Sequence, residues 1–146
     1  FKPPHDAVES VGYKIQTPDG KAMCVCTDLG HVTEEIDANL SGCELVLLES
    51  NYDERMLRTG PYPYPLKQRI ASGDGHLSNV ASSGEVKKLI SGGTTRIILG
   101  HLSRENNTPQ IAKNTLMRAL GEDFKENRDY LLYIAPIETT GMAVTF

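Results

Sequence analysis

Cys43-Glu44-Leu45-Val46-Leu47-Leu48-Glu49-Ser50 is the stretch on which the fold turns. Its apolar residues run consecutively instead of alternating with polar ones, which is the pattern of a strand buried in the middle of a layered domain. A second segment, Thr95-Arg96-Ile97-Ile98-Leu99-Gly100, has the same character. Strands apolar on both faces are expected where layers cover both sides of a sheet. Working outward, Val32, Ile36 and Leu40 recur every four residues, which predicts a helix capped near Thr33 and ended by Gly42. Further upstream, Gly12–Thr17 and Lys21–Thr27 flank the turn sequence Pro18-Asp19-Gly20 and predict a hairpin.

Downstream, a short helix is predicted around Asp53–Arg58, and Gly60-Pro61-Tyr62-Pro63-Tyr64-Pro65 breaks it. That segment reads as a rigid packed turn between two short helices, with a ligand for a proline-binding module as the alternative. Leu66–Ile70 resumes helix until the Gly73–Gly75 loop, and Val86, Leu89 and Ile90 mark the face of another helix closed by Gly92-Gly93. Thr108-Pro109 starts a helix with proline at its first position, its buried face set by Ala112, Leu116 and Leu120. Tyr130–Ala135 and Met142–Phe146 read as final strands. Strands alternating with amphipathic helices define an α/β domain with a mixed sheet, spanning residues 1–146.

Bulk properties narrow the function. Every apolar run, Leu45–Leu48 among them, is far too short for a segment to span a membrane. A net charge of −4 supplies no global field for nucleic acid, so attraction to a polyanion would come from metal ions or a local patch. The three cysteines, Cys24, Cys26 and Cys43, lack zinc-knuckle or redox spacing. Cys24 and Cys26 alternate along a strand and read as small buried hydrophobes, with a reducing cytoplasm as the expected setting.

Chemistry-bearing residues gather at strand borders. His5 precedes the first hairpin strand, Asp28 follows the second, and His101 follows Ile97-Ile98-Leu99-Gly100. Ligands and reactive groups collect at the carboxyl ends of strands in open α/β sheets, so Asp28 and His101 can meet despite their separation in sequence. Imidazole and carboxylate suit zinc, manganese or iron. Taken singly, Asp28 also reads as a helix-initiating aspartate, and a lone histidine after a strand as a structural or surface residue. His31 reads as the latter, turned toward the helix that follows. Composition and spacing support an α/β domain with a possible metal site.

Five motifs occur in fixed order: His5-Asp6-Ala7-Val8-Glu9-Ser10-Val11-Gly12-Tyr13, Thr27-Asp28-Leu29-Gly30, Leu48-Glu49-Ser50-Asn51-Tyr52-Asp53, Gly75-His76-Leu77-Ser78-Asn79 and Gly100-His101-Leu102-Ser103. The series resembles the C-terminal portion of the metallo-β-lactamase superfamily, most of all its YycJ/WalJ-like exonuclease branch, with ribonuclease Z more distant. Residues 60–79 and Arg104-Glu105-Asn106-Asn107-Thr108-Pro109 look like that branch too. The resemblance implies half of an αββα sandwich, with the sheet covered by helices and the N-terminal half lacking. It also implies a dinuclear centre of two divalent ions, zinc by preference and manganese as the alternative. His5 resembles a histidine ligand of one metal, Asp28 the bridging carboxylate and His101 the histidine of the second metal. His76 resembles the catalytic histidine near the scissile phosphate.

The superfamily's His-x-His-x-Asp-His motif is absent from the chain. The complete domain is therefore expected to be a metal-dependent phosphodiesterase or nuclease, and the chain alone to bind metal weakly and not turn over. Its expected partners are nucleic acid as substrate and either the missing N-terminal half or a second copy of the chain, covering an exposed apolar sheet face. Asn51, Ser78, Asn79 and Asn106, if free near the site, would favour phosphate recognition. Two alternatives remain: hydrolysis of a small ester, thioester or lactam, and a non-catalytic interaction fragment with a vestigial site.

Overall fold

In the computed structural model, which describes residues 1–136, 138 and 143–146, the chain opens with a hairpin of β1 (Tyr13–Gln16) and β2 (Ala22–Cys26). The strands pair antiparallel from Tyr13↔Val25 to Gln16↔Ala22. The connecting turn closes through the Gly20 amide on the Thr17 carbonyl at 3.0 Å, with Gly20 at φ 89°, a conformation that glycine adopts without steric cost.

Helix α1 (Glu34–Leu40) starts where its side-chain chemistry dictates: the Thr33 hydroxyl accepts from the Ile36 amide, and Ile36 and Leu40 are buried. Strand β3 (Leu45–Glu49) follows, parallel to β2. Asp53 caps α2 (Glu54–Thr59) by accepting from the Met56 amide, and the proline–tyrosine segment is the turn into α3 (Tyr64–Ile70). Helix α4 (Asn79–Ser91) begins well ahead of the apolar face Val86–Ile90, because Ser78 caps it. Strand β4 (Arg96–Gly100), helix α5 (Pro109–Leu120), capped by Thr108, and strand β5 (Leu131–Ile134) complete the order. Among the described residues no helix is long and apolar enough to cross a membrane. Of the last expected strand, Met142 lies outside the described residues, and residues 143–146 form no strand.

The sheet order is β1-β2-β3-β4-β5, with β2 to β5 all parallel, so it is mixed as expected. The order never reverses, and right-handed crossovers that always step the same way deliver α1, α4 and α5 to the same face. On that face Cys24, Cys26, Val46, Leu48, Ile97 and Leu99 form one core with Ile36 and Leu40 of α1, Val86 and Leu89 of α4, and Leu116 and Leu120 of α5. The expectation that layers cover both sides is therefore corrected for the described residues. On the opposite face Met23, Val25, Leu47 and Ile98 are only half-buried, and Tyr13 and Ile15 are 58% and 49% exposed. Among the described residues the helical core covers one face of these doubly apolar strands.

Burial pushes the thiols of Cys24 and Cys26 up to about 12, far above the ordinary cysteine value. Neither thiol should react with a disulfide reagent at pH 8 in the native protein, and both should react once the chain is unfolded in guanidinium. Fast native labelling at either position, mapped by mass spectrometry, would contradict a tightly packed core beneath the helices.

Candidate metal centre

Three consecutive parallel strands end at one place, and each delivers a polar residue there. Asp28 follows β2, Glu49 is the last residue of β3, and His101 follows β4. Asp28 and His101 sit at φ 57° and 55°, a left-handed conformation uncommon outside glycine and frequent at functional sites. The backbone at His101 is held by the Asn51 side-chain amide on its carbonyl at 2.8 Å, and by the Ser50 amide on the Gly100 carbonyl at 2.9 Å.

His5 and His76 enter from loops that interlock with these strand ends. The Gly30 amide donates to the Pro4 carbonyl at 2.9 Å, and the Asp6 amide to the Asp74 carbonyl at 2.9 Å. The N-terminal segment therefore threads between the loop after β2 and the loop before His76. A Cβ on Gly30 would stand 2.1 Å from the Gly73 carbonyl oxygen, and one on Gly75 would stand 2.2 Å from the Arg69 carbonyl oxygen. Only glycine permits such close backbone approach. Arg69 of α3 grips both carboxylate oxygens of Asp6, which locks the segment from outside.

The four residues singled out from sequence converge. His5 Nε2, His76 Nδ1 and His101 Nδ1 lie 3.6, 4.0 and 3.7 Å from Asp28 Oδ1. The rings of His5 and His76 are 4.8 Å apart by centroid, and those of His76 and His101 are 5.3 Å apart. His31 stays apart as an exposed residue, and its Nδ1 lies 2.8 Å from the Gly73 carbonyl, so it faces that loop and not the following helix.

Glu49 has no role in the sequence reading, yet it organises the cluster. Its side chain is 0% exposed, and Oε1 lies 2.7 Å from His76 Nδ1 and 2.8 Å from His101 Nδ1. Oε2 accepts from the amide of Leu29, the residue after Asp28, at 2.9 Å. Burial pushes the Glu49 carboxyl up, but the bonds from His101, His76 and Leu29 outweigh it and hold the group below the usual carboxylate range. The hydrogen bond to Glu49 raises His101 above its ordinary value. The one signal in the sequence is a charged residue closing an apolar strand.

The donor set fits divalent metal. The carbonyl of Gly75, 2.8 Å from His5 Nδ1, fixes that ring so that Nε2 faces Asp28 with its lone pair. Glu49 occupies Nδ1 of His101 in the same way and leaves Nε2 for an ion. Two ligands each about 2 Å from one ion stand about 3–4 Å apart, the order of the His5–Asp28 spacing.

The polar residues that would favour phosphate recognition if free near the site are not free. Asn51, Ser78, Asn79 and Asn106 are all buried. Asn51 holds His101, and Ser78 caps α4. Asn79 is bonded to Ser50 and Asn107, while the Asn106 side chain has no hydrogen-bond partner among the described residues. Asn51, Ser78 and Asn79 support the loops from within, because the chain between β3 and α4 must satisfy its own polar groups as it leaves the sheet.

No protein-family model matches the chain. It is 35% identical over 130 residues to "Exodeoxyribonuclease WalJ" of Streptococcus pneumoniae serotype 2, covering 88% of this chain and 48% of that protein. It is 34% identical over 118 residues to "Exodeoxyribonuclease YycJ" of Bacillus anthracis, covering 81% of this chain and 44% of that one. The chain thus spans about half the length of the curated relatives it matches.

Glu49→Gln should lower the pKa of His101, read by NMR titration, because the partner that stabilises its charged form is gone. In the native protein the Glu49 contribution to stability is present above the unfolded glutamate value and fades as pH falls through its depressed folded value. The His101 contribution is complete below the unfolded histidine value and fades as pH rises through its raised folded value. Chemical denaturation should therefore show greatest stability between those limits, and a window unchanged in Glu49→Gln would refute the coupling. Gly75→Ala should destabilise the chain by about 1–3 kcal/mol, the usual cost of forced overpacking, and an unchanged melting temperature would refute the close approach.

Proposed function

We propose that this chain, a homologue of the WalJ and YycJ exodeoxyribonucleases, supplies the C-terminal half of a metal-dependent deoxyribonuclease of the metallo-β-lactamase fold. The observation that carries the reading is the meeting of His5, Asp28, His76 and His101 around one buried carboxylate at the ends of three parallel strands. His5 and Asp28 would hold one divalent ion and Asp28 and His101 a second, both ions being zinc, with manganese as the alternative identity. Two bound ions supply an acidified water and a clamp for the phosphodiester.

The chain's own groups do the rest. Asp28 offers two oxygens, one for each side of the centre. Glu49 positions His101 and His76 by accepting from Nδ1, which leaves Nε2 of each ring for a ligand or a substrate. His76, half-enclosed between His5 and His101, would hold or pass a proton at the leaving oxygen of the scissile phosphate.

These residues provide two protein ligands for each ion, fewer than the three normal for catalytic zinc. The remaining ligands would come from the complementary half, which would also cover the open sheet face around Tyr13, Ile15, Val25 and Leu47. Three buried free cysteines suit a reducing compartment, which supports a cytoplasmic setting.

Metal analysis and exonuclease assays test the reading on the chain alone and on the chain supplied with the complementary half. Bound metal and chelator-sensitive DNA degradation should appear only with both halves. In that assembly His76→Ala should cut turnover by about 10²–10⁴-fold, the usual contribution of a general acid, with metal content intact. Hydrolysis of esters or lactams without hydrolysis of DNA would overturn the proposal.

A further inference from the structure

Beside the cluster lies a cavity of about 410 Å³ enclosed by Tyr52, α2 and α3, and none of the four clustered residues lines it. Its walls are apolar and aromatic: Leu57 and Ala71 line it, Tyr52 closes it from within, and Tyr64 stands 71% exposed beside it. The polar groups are few and specific. The Gln68 amide lies 3.1 Å from the Tyr64 hydroxyl, and Glu54 presents a carboxylate near the Ser78 hydroxyl at 3.3 Å. The Arg58 guanidinium makes no hydrogen bond among the described residues, whereas the Lys67 ammonium is occupied by the Arg58 and Gly60 carbonyls.

A pair of backbone segments links the cavity to the candidate centre. The segments Glu49–Tyr52 and His76–Asn79 run side by side, joined by the Asn51 amide on the Leu77 carbonyl at 2.9 Å and the Asn79 amide on the Tyr52 carbonyl at 2.8 Å. Glu49 and His76 meet at one end of this pair, and Tyr52 and Ser78 meet at the other. Three residues of extended chain span about 10 Å, which is within the reach of one nucleotide.

We propose that this cavity is a nucleobase subsite, which receives the base of a single-stranded DNA nucleotide whose backbone lies at the histidine cluster. The inference rests on the nuclease reading and adds where the strand is gripped. Tyr64 stacks on the flat face of the base, which any base provides, and Gln68 and Glu54 offer a donor and an acceptor to its edge. Arg58 faces the negative backbone at the rim. Such a site holds nucleotides with little sequence preference, as stacking is indifferent to base identity. In an acidic chain it also supplies attraction that net charge does not.

Fluorescence titration of the 146-residue chain with the 5′-monophosphate of 2-aminopurine deoxyriboside tests this. Emission should be quenched on binding, dAMP and dTMP should both compete, and deoxyribose 5-phosphate should not. Tyr64→Ala should weaken binding about tenfold, the order expected for loss of one stacking partner, and Tyr64→Phe should retain it. Because Tyr64 is exposed, both variants should keep the native circular dichroism melt. Equal binding by Tyr64→Ala, equal competition by the base-free phosphate, or no quenching at millimolar nucleotide would each overturn the subsite. Nucleotide binding with no nuclease activity in the two-half assembly would instead overturn the function proposed above and leave the subsite standing.

Discussion

The carboxylate of Glu49 is the constraint around which the site is built. A charge with no exposure to water is costly, by several kcal/mol, unless it is paired and hydrogen-bonded. Here three donors satisfy it, and they come from three different segments: His76 from the loop before α4, His101 from the end of β4, and Leu29 from the turn after β2. Meeting that requirement draws the loops together, so the geometry of Asp28 and of both imidazoles is tied to one buried group.

The sheet explains why so few segments suffice. Monotonic strand order brings β2, β3 and β4 side by side and parallel, so their carboxyl ends form a single edge. The same order sends α1, α4 and α5 to one face and leaves Tyr13, Ile15, Val25 and Leu47 on the other partly open. A one-sided core thus coexists with a reactive edge in a chain that spans about half the length of its relatives.

Loop packing then sets the last details. Gly30 and Gly75 admit backbone where any side chain would collide, and the ion pair of Arg69 with Asp6 closes the N-terminal segment over them. The asparagines of the β3–α4 connection face inward to hold this arrangement. Polar residues near a site thus belong as often to its scaffold as to its substrate.

Most of the local structure was legible in the sequence, because it rests on local chemistry. Thr33, Asp53 and Thr108 cap helices by accepting from amides three residues on, and the hairpin follows from Pro18-Asp19-Gly20. The order of motifs pointed to His5, Asp28, His76 and His101. Only the tertiary structure decided that helices cover one face of the sheet, since that depends on the direction of each crossover. It also decided that Glu49 links two imidazoles and that Asn51, Ser78, Asn79 and Asn106 turn inward. A side chain's partners lie at long range in sequence, and its burial is fixed only when the segments that surround it have been packed.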